Sequence, residues 1–277
     1  MDNAFRQSVI QDLEKSGFGS EMRAIKIFLS EQWSCSGSPN YFDKDEQRTR
    51  ECDLQAHRML MKRLENDKYI QSFYHIVAEV KKSEKPWVVF REDLSESPLR
   101  TGDAWNNLTF SVNLPFKPSR LFKDMTSASL ISQLKWRGYG AHECFKKPDS
   151  PSRWYSSCMS ACKAAEHVLE GESWQYKEDP AEKADIYENP PYLVFVKPLV
   201  ILDGILLAAD LSDEGEMSIA EINAAPMDFY FKSKAYNRSS YRPDIVTING
   251  LRDYIQLSNI RHDHIHQGLL RESRIEA

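Results

Sequence analysis

The chain has 277 residues, 36 Lys and Arg against 41 Asp and Glu, a formal net charge of -5, and 41% hydrophobic and 28% charged residues. That composition is globular and excludes collagen-like, low-complexity and wholly disordered chains. It leaves room for one large domain or two small ones with a sizeable core. The mild acidity argues against a protein that coats nucleic acid through a broad basic face, though not against an enzyme whose positive charge is local.

Residues 4–15 read as a short helix ending at Gly17. Ser20 is placed to cap a second helix over 21–31, in which Met22, Ile25, Phe28 and Leu29 recur at three- and four-residue spacing. Residues 33–42 read as a first strand or irregular edge, followed by a charged turn over 43–46. A second strand is expected over 48–60, where Cys52, Leu54 and Ala56 alternate with Glu51, Asp53 and Gln55. A third strand covers 71–81 and a fourth, starting after Pro86, covers 87–91. The short gap between these two predicts neighbours in one sheet rather than a parallel crossover pair.

From about 93 to 150 the pattern weakens, broken by Pro98, Pro115, Pro118, Pro148, Asn106, Asn107 and Asn113, and reads as an insertion. Residues 152–170 form a helix with Met159, Cys162, Ala165 and Leu169 on one side. An acidic linker over 171–191 leads to a strongly strand-like 192–202. Asp203-Gly204 is a turn signal, and with 205–211 it predicts a β-hairpin. Two more strands at 216–223 and 243–248 precede a closing helix at 250–270. The order of elements predicts an α/β chain, a central mixed β-sheet flanked by helices, in a single domain over 1–277.

The charged N-terminal stretch holds no apolar run of the roughly 7–15 residues that a signal peptide requires. Apolar runs such as 205–209 fall far short of the about 20 residues a spanning helix needs, so no membrane contact and a cytoplasmic location are expected. Five scattered cysteines, Cys35, Cys52, Cys144, Cys158 and Cys162, do not make a disulfide framework. Cys158 and Cys162 share a helical face and are expected to be buried thiols rather than a zinc pair.

The chemistry gathers on Glu21, Asp53, Glu79 and Lys81. Glu79 and Lys81 are two apart on a strand, so both point to one face, away from Ala78 and Val80. If the second and third strands pair, Asp53 faces Glu79, with Glu51 on the same side as Asp53. Carboxylates brought to one point repel unless a cation neutralises them, and hard oxygen ligands suit Mg²⁺ or Mn²⁺. Glu21 belongs to the apolar stripe of its helix, where a charge wants a partner; alternatively it is an N-terminal acid favoured by the helix dipole. Metal-bound carboxylates with a lysine are suited to phosphodiester hydrolysis. Taken alone, an E-x-K pair reads as a surface ion pair on an exposed strand face.

The string Glu79-Val80-Lys81 after an apolar strand, preceded by Asp53 in Arg50-Glu51-Cys52-Asp53, resembles the active-site pattern of the PD-(D/E)XK nuclease superfamily, the restriction-endonuclease-like fold. Glu21, in Gly17-Phe18-Gly19-Ser20-Glu21, matches the glutamate that many such enzymes carry on the helix before the core sheet. The order helix, strand, strand with Asp, strand with E-x-K is also similar, and 82–90 resembles a group of prokaryotic restriction-endonuclease-like proteins. The likeness covers roughly 17–90; Cys52 stands where the pattern's name has Pro.

The resemblance implies a nuclease-like core over 17–91, an insertion at about 93–150, and a helix and further strands over 152–277. It implies that Asp53 and Glu79 bind Mg²⁺ or Mn²⁺ with the backbone carbonyl of Val80, that Lys81 is catalytic, and that Glu21 is an accessory ligand. The activity implied is hydrolysis of nucleic acid, DNA ahead of RNA, in prokaryotic defence. The alternatives are a catalytically silent nuclease-fold module that binds nucleic acid or a partner protein, and a component of a homodimer or larger assembly that docks through 93–150.

Lys82 and Lys85, with Lys81 and the nearby Trp87, form a local basic and aromatic group suited to a phosphate backbone; a solvated strand end is the other reading. Lys146 and Lys147 have no assigned place relative to that group. His262, His264 and His266 alternate; on a strand they would share a face fit for zinc, but in the expected helix they read as a solvated tail. No phosphate-binding G-x-x-x-x-G-K-[ST] loop and no nucleophile elbow is present.

Overall fold

The computed structural model describes residues 2–65, 67–93, 108–114, 121, 136–147, 151–174 and 190–273. Helix α1 spans Asn3–Ser16 and α2 spans Phe18–Ser30. Fifteen strands follow among the described residues: β1 Ser34–Gly37, β2 Asn40–Asp43, β3 Arg48–Glu51, β4 Leu54–Arg63, β5 Tyr69–Lys82, β6 Trp87–Asp93, β7 Leu108–Val112, β8 Trp136–Glu143, β9 Tyr192–Asp203, β10 Leu206–Leu211, β11 Met217–Glu221, β12 Ala224–Pro226, β13 Phe229–Tyr230, β14 Ser240–Tyr241 and β15 Asp244–Thr247. Helix α3 spans Arg153–Trp174, and α4 spans Leu251–Glu272.

The architecture is α/β. The central mixed sheet has the order β1-β4-β5-β9-β15-β12, with β7 also on β9. Strands β4 and β5 are antiparallel, whereas β5 and β9 run parallel from Gln71 opposite Tyr192 to Lys82 opposite Asp203. Strand β9 is apolar on both sides, as a strand covered on both faces must be. Its Leu193, Phe195, Leu199 and Ile201 pack with Phe28 of α2 and Ile255, Ile265 and Leu269 of α4. Its Val194, Val196, Val200 and Leu202 pack with Cys158, Cys162 and Ala165 of α3. A second sheet, β11-β10-β6-β8, feeds Trp87, Val89 and Leu206 into that same layer.

Several local expectations are corrected. Ser20 caps nothing: Gly17, in the left-handed region at φ 94°, stands at the junction of α1 and α2, and no side-chain cap bond forms. The buried stripe of α2 is Ser20, Ala24 and Phe28, at four-residue spacing, while Met22 and Leu29 are exposed. The expected strand at 48–60 breaks at Cys52 and Asp53 into β3, paired with β2, and β4, paired with β1 and β5. The alternation itself stands, with Cys52, Leu54 and Ala56 buried.

Two pairings differ for one reason. Strand β6 is not a sheet neighbour of β5, and β10 is not a hairpin partner of β9. Both edges of β5 are occupied, by β4 and β9. Both edges of β9 are occupied too, by β5 on one side and by β7 and β15 in succession on the other. The next strand after each therefore has no free ladder to join, and β6 and β10 pair with each other in parallel in the second sheet. The hairpin lies one step on, between β10 and β11.

In the segment 93–150, β7 joins the central sheet and β8 the second one; 94–107, 115–120, 122–135 and 148–150 fall outside the described residues. Helix α3 runs on to Trp174, into the expected linker, and 175–189 fall outside. Cys158 and Cys162 are buried free thiols, held above their ordinary proton affinity by burial. The C-terminal histidines are not a solvated tail: His262 and His266, one turn apart on α4, are buried and both meet the Ser72 hydroxyl, at 2.9 and 2.8 Å. Among the described residues no helix is long and apolar enough to cross a membrane.

Candidate active site

Asp53 lies in the break between β3 and β4, one residue ahead of the Leu54–Ala78 pair that opens the β4–β5 ladder. This brings it level with the end of β5, where Glu79 and Lys81 project. Its Oδ2 accepts a hydrogen bond from the Val80 N–H at 2.6 Å and another from the Lys81 ammonium at 2.9 Å. The same ammonium donates to Glu79 Oε2 at 2.7 Å. The fold brings Asp53 and Glu79 together on one cation, Lys81 Nζ. Val80 contributes its N–H here, while its side chain packs in the α2–α4 layer.

Glu79 is 7% exposed. Burial, against the pull of Lys81 and with the charge of Asp53 adding to it, holds its carboxyl above the usual range. Burial alone would lower Lys81, but Glu79 and Asp53 outweigh it and hold the ammonium above its ordinary value. Cys52 behind the cluster is pushed up by burial and then by Glu79.

Glu21 sits half-buried on α2, and its carboxylate has no hydrogen-bond or ion-pair partner among the described residues. Burial raises its carboxyl first, then the charge of Asp53, with Lys81 opposing and Glu51 adding. Glu21 therefore faces the same charge cluster without touching it. Its neighbours fix that position: Ser20 and Arg23 both bind Asp203 Oδ2, at the end of β9. Asp203 was assigned only to a turn by the sequence, and no local signal marks it as the residue that ties α2 to the sheet. Glu51 is exposed on β3 opposite Asn40.

The basic group is only partly assembled as expected. Trp87 is fully buried and offers no ring to a ligand. Lys82 and Lys85 remain at the surface, with Lys82 Nζ donating to the Glu14 carbonyl at 2.8 Å and Lys85 Nζ to the Phe145 carbonyl. Lys146 and Lys147 thereby come beside Lys85, a placement only the fold supplies.

Among the described residues no three His, Cys, Asp or Glu side chains converge closely enough to hold a metal ion. The donor set is nonetheless of the right chemistry. Asp53 and Glu79 present oxygens that already share one cation, and Asp53 Oδ1 and Glu79 Oε1 take no hydrogen bond among the described residues. Two hard carboxylates with free oxygens fit a divalent cation better than any softer metal. Comparison of the chain with protein-family models, with curated proteins and with solved structures gives no match.

Proposed function

We propose that this chain is a metal-dependent nuclease that hydrolyses phosphodiester bonds of nucleic acid, DNA ahead of RNA. The observation that carries the reading is the meeting of Asp53, Glu79 and Lys81 at one point, from two adjoining segments, in an otherwise apolar strand end. Asp53 and Glu79 would hold Mg²⁺ or Mn²⁺, with the Val80 carbonyl as a further ligand and Glu21 as an accessory one. When bound, such a cation lowers the pKa of a coordinated water and offsets phosphate charge. Glu79 and Asp53 orient Lys81, whose raised proton affinity keeps it an ammonium at neutral pH. As an ammonium it is suited to stabilising negative charge on the reacting phosphate. A role in prokaryotic defence rests on the resemblance of 17–90 alone.

One observation favours a second reading, a silent nuclease-fold module that binds nucleic acid or a partner protein. The Lys81 ammonium already pairs with both carboxylates, so each has a cationic partner without a metal. The two readings separate on assays of single-stranded DNA, duplex DNA and RNA with Mg²⁺ or Mn²⁺, beside calorimetric titration with Mn²⁺. The nuclease reading expects cleavage and metal binding, both lost in Asp53→Ala, and cleavage lost in Lys81→Ala. Activity that survives both substitutions overturns it, and absence of Mn²⁺ binding favours the module.

A further inference from the structure

Just beyond the end of β5 lies a concavity of about 330 Å³ lined by Lys15, Lys82, Ser83, Glu84, Lys85 and Arg153. Four of its six residues are cations, in a chain whose net charge is -5. Arg153 is fixed there by three bonds: to Glu143 at 2.9 Å, to the Ser83 hydroxyl at 2.9 Å and to the Lys82 carbonyl at 3.3 Å. Glu143 also caps the first N–H groups of α3, so the helix terminus is satisfied and the attraction for an anion resides in the side chains. The Lys15 ammonium has no hydrogen-bond or ion-pair partner among the described residues. Even after Glu84 and Glu143 are set against the four cations, positive charge remains in excess.

At the rim stands Phe145. Its carbonyl takes the Lys85 ammonium, and its ring is 82% exposed. Its backbone is in the left-handed region, at φ 56°. A bulky residue held there is strained, and such strain persists where the surroundings fix it, here through Lys85 and the Cys144 N–H bound to the Pro86 carbonyl at 2.9 Å. The effect is to hold a large aromatic face in water beside a basic pocket and next to the adjacent Lys146 and Lys147. Stacking surface plus backbone-tracking cations is the combination by which proteins hold unpaired nucleic acid.

We propose that this pocket and ring form a binding subsite for single-stranded nucleic acid, with a backbone phosphate among Lys15, Lys82, Lys85 and Arg153 and an unpaired base on Phe145. The choice of a polynucleotide over another phosphate carrier rests on the nuclease reading. Lys82 directly follows Lys81 on β5 with its side chain on the opposite face, so the subsite and the carboxylate cluster share the same strand end.

The test measures binding of a labelled single-stranded oligonucleotide, a duplex of the same sequence and inorganic phosphate to the full chain, in EDTA so that cleavage plays no part. The single strand is expected to bind more tightly than the duplex. Phe145→Ala weakens it about tenfold with no change in salt dependence. The double variant Lys15→Ala, Lys85→Ala flattens the slope of log affinity against log salt by about 1.4, or 0.7 per lost contact. Thermal melting of each variant confirms the fold, since Lys15 and the Phe145 ring are exposed. Wild-type affinity in Phe145→Ala, equal binding of duplex, or an unchanged salt slope overturns the proposal, as does phosphate bound without any oligonucleotide. The two readings fail separately. Binding with this pattern but no cleavage under any metal leaves the subsite standing without the nuclease. Cleavage that needs Asp53 and Lys81, with both pocket variants binding as wild type, leaves the nuclease without this subsite.

Discussion

Lys81 is the residue on which the site depends, because its one ammonium answers both Asp53 and Glu79. Replacing it with Ala leaves two carboxylates facing each other, one of them buried. Cleavage is expected to fall by at least about a hundredfold, the scale of losing one electrostatic stabiliser, and the melting temperature to fall as well. Glu79→Gln separates the two effects. Its folded-state pKa is raised, so the folded chain holds that proton more tightly than the unfolded one. The stability it confers is present at low pH and lost as pH rises from 4.5 through the raised value. At pH 7 the Gln variant is therefore expected to melt no lower than the wild type, while its cleavage is lost. Because the metal-free chain holds the Glu79 and Glu21 carboxyls above their ordinary value, protons compete with a cation for the same oxygens, and Mn²⁺ affinity is expected to fall as pH is lowered. A calorimetric Mn²⁺ affinity that does not change with pH contradicts this.

Among the elements, Gly204 shows what strand connections cost. A Cβ there would lie 2.5 Å from the Ser83 carbonyl oxygen, a backbone atom, so Gly204→Ala must push apart the exits of β9 and β5. It is expected to lower stability by about 1–3 kcal/mol, as overpacking does, read from urea denaturation. That contact also explains what the sequence could and could not convey. Period-2 alternation around Cys52, Leu54 and Ala56 and the double-sided apolarity of 192–202 exposed the strands, because each records only which faces are buried. Which strand lies beside which is a question of occupied edges, and nothing in 87–91 or 205–211 records that β5 and β9 are already flanked. The acidic and basic residues of the E-x-K pair were legible since two-residue spacing fixes a common face. Phe145 and Arg153 were not, because they reach Lys85 and Ser83 only through β8 and α3.

Across the whole molecule, acid is the expected weakness. Burial lowers His75 to about 4, with His57 adding to it, and lowers His262 to about 3. His266 shifts the same way. These imidazoles are held neutral in the fold, whereas the unfolded chain takes up protons once pH drops below about 6.5. Their contribution is therefore full above 6.5 and lost as pH falls toward the folded values. The urea midpoint is expected to decline between pH 6.5 and 4, and His262→Gln to flatten that decline; a midpoint constant over the range refutes it.

The parallel pairing of β5 with β9 has a consequence for biosynthesis. Asp53, Glu79 and Lys81 leave the ribosome before Tyr192–Asp203, which is made more than a hundred residues later. Until then one edge of β5 stays bare and α2 has no Asp203 to grip. A nascent or prematurely terminated chain thus carries the reactive side chains without the framework that buries Glu79 and positions Glu21. The cluster is completed only once β9 has been made.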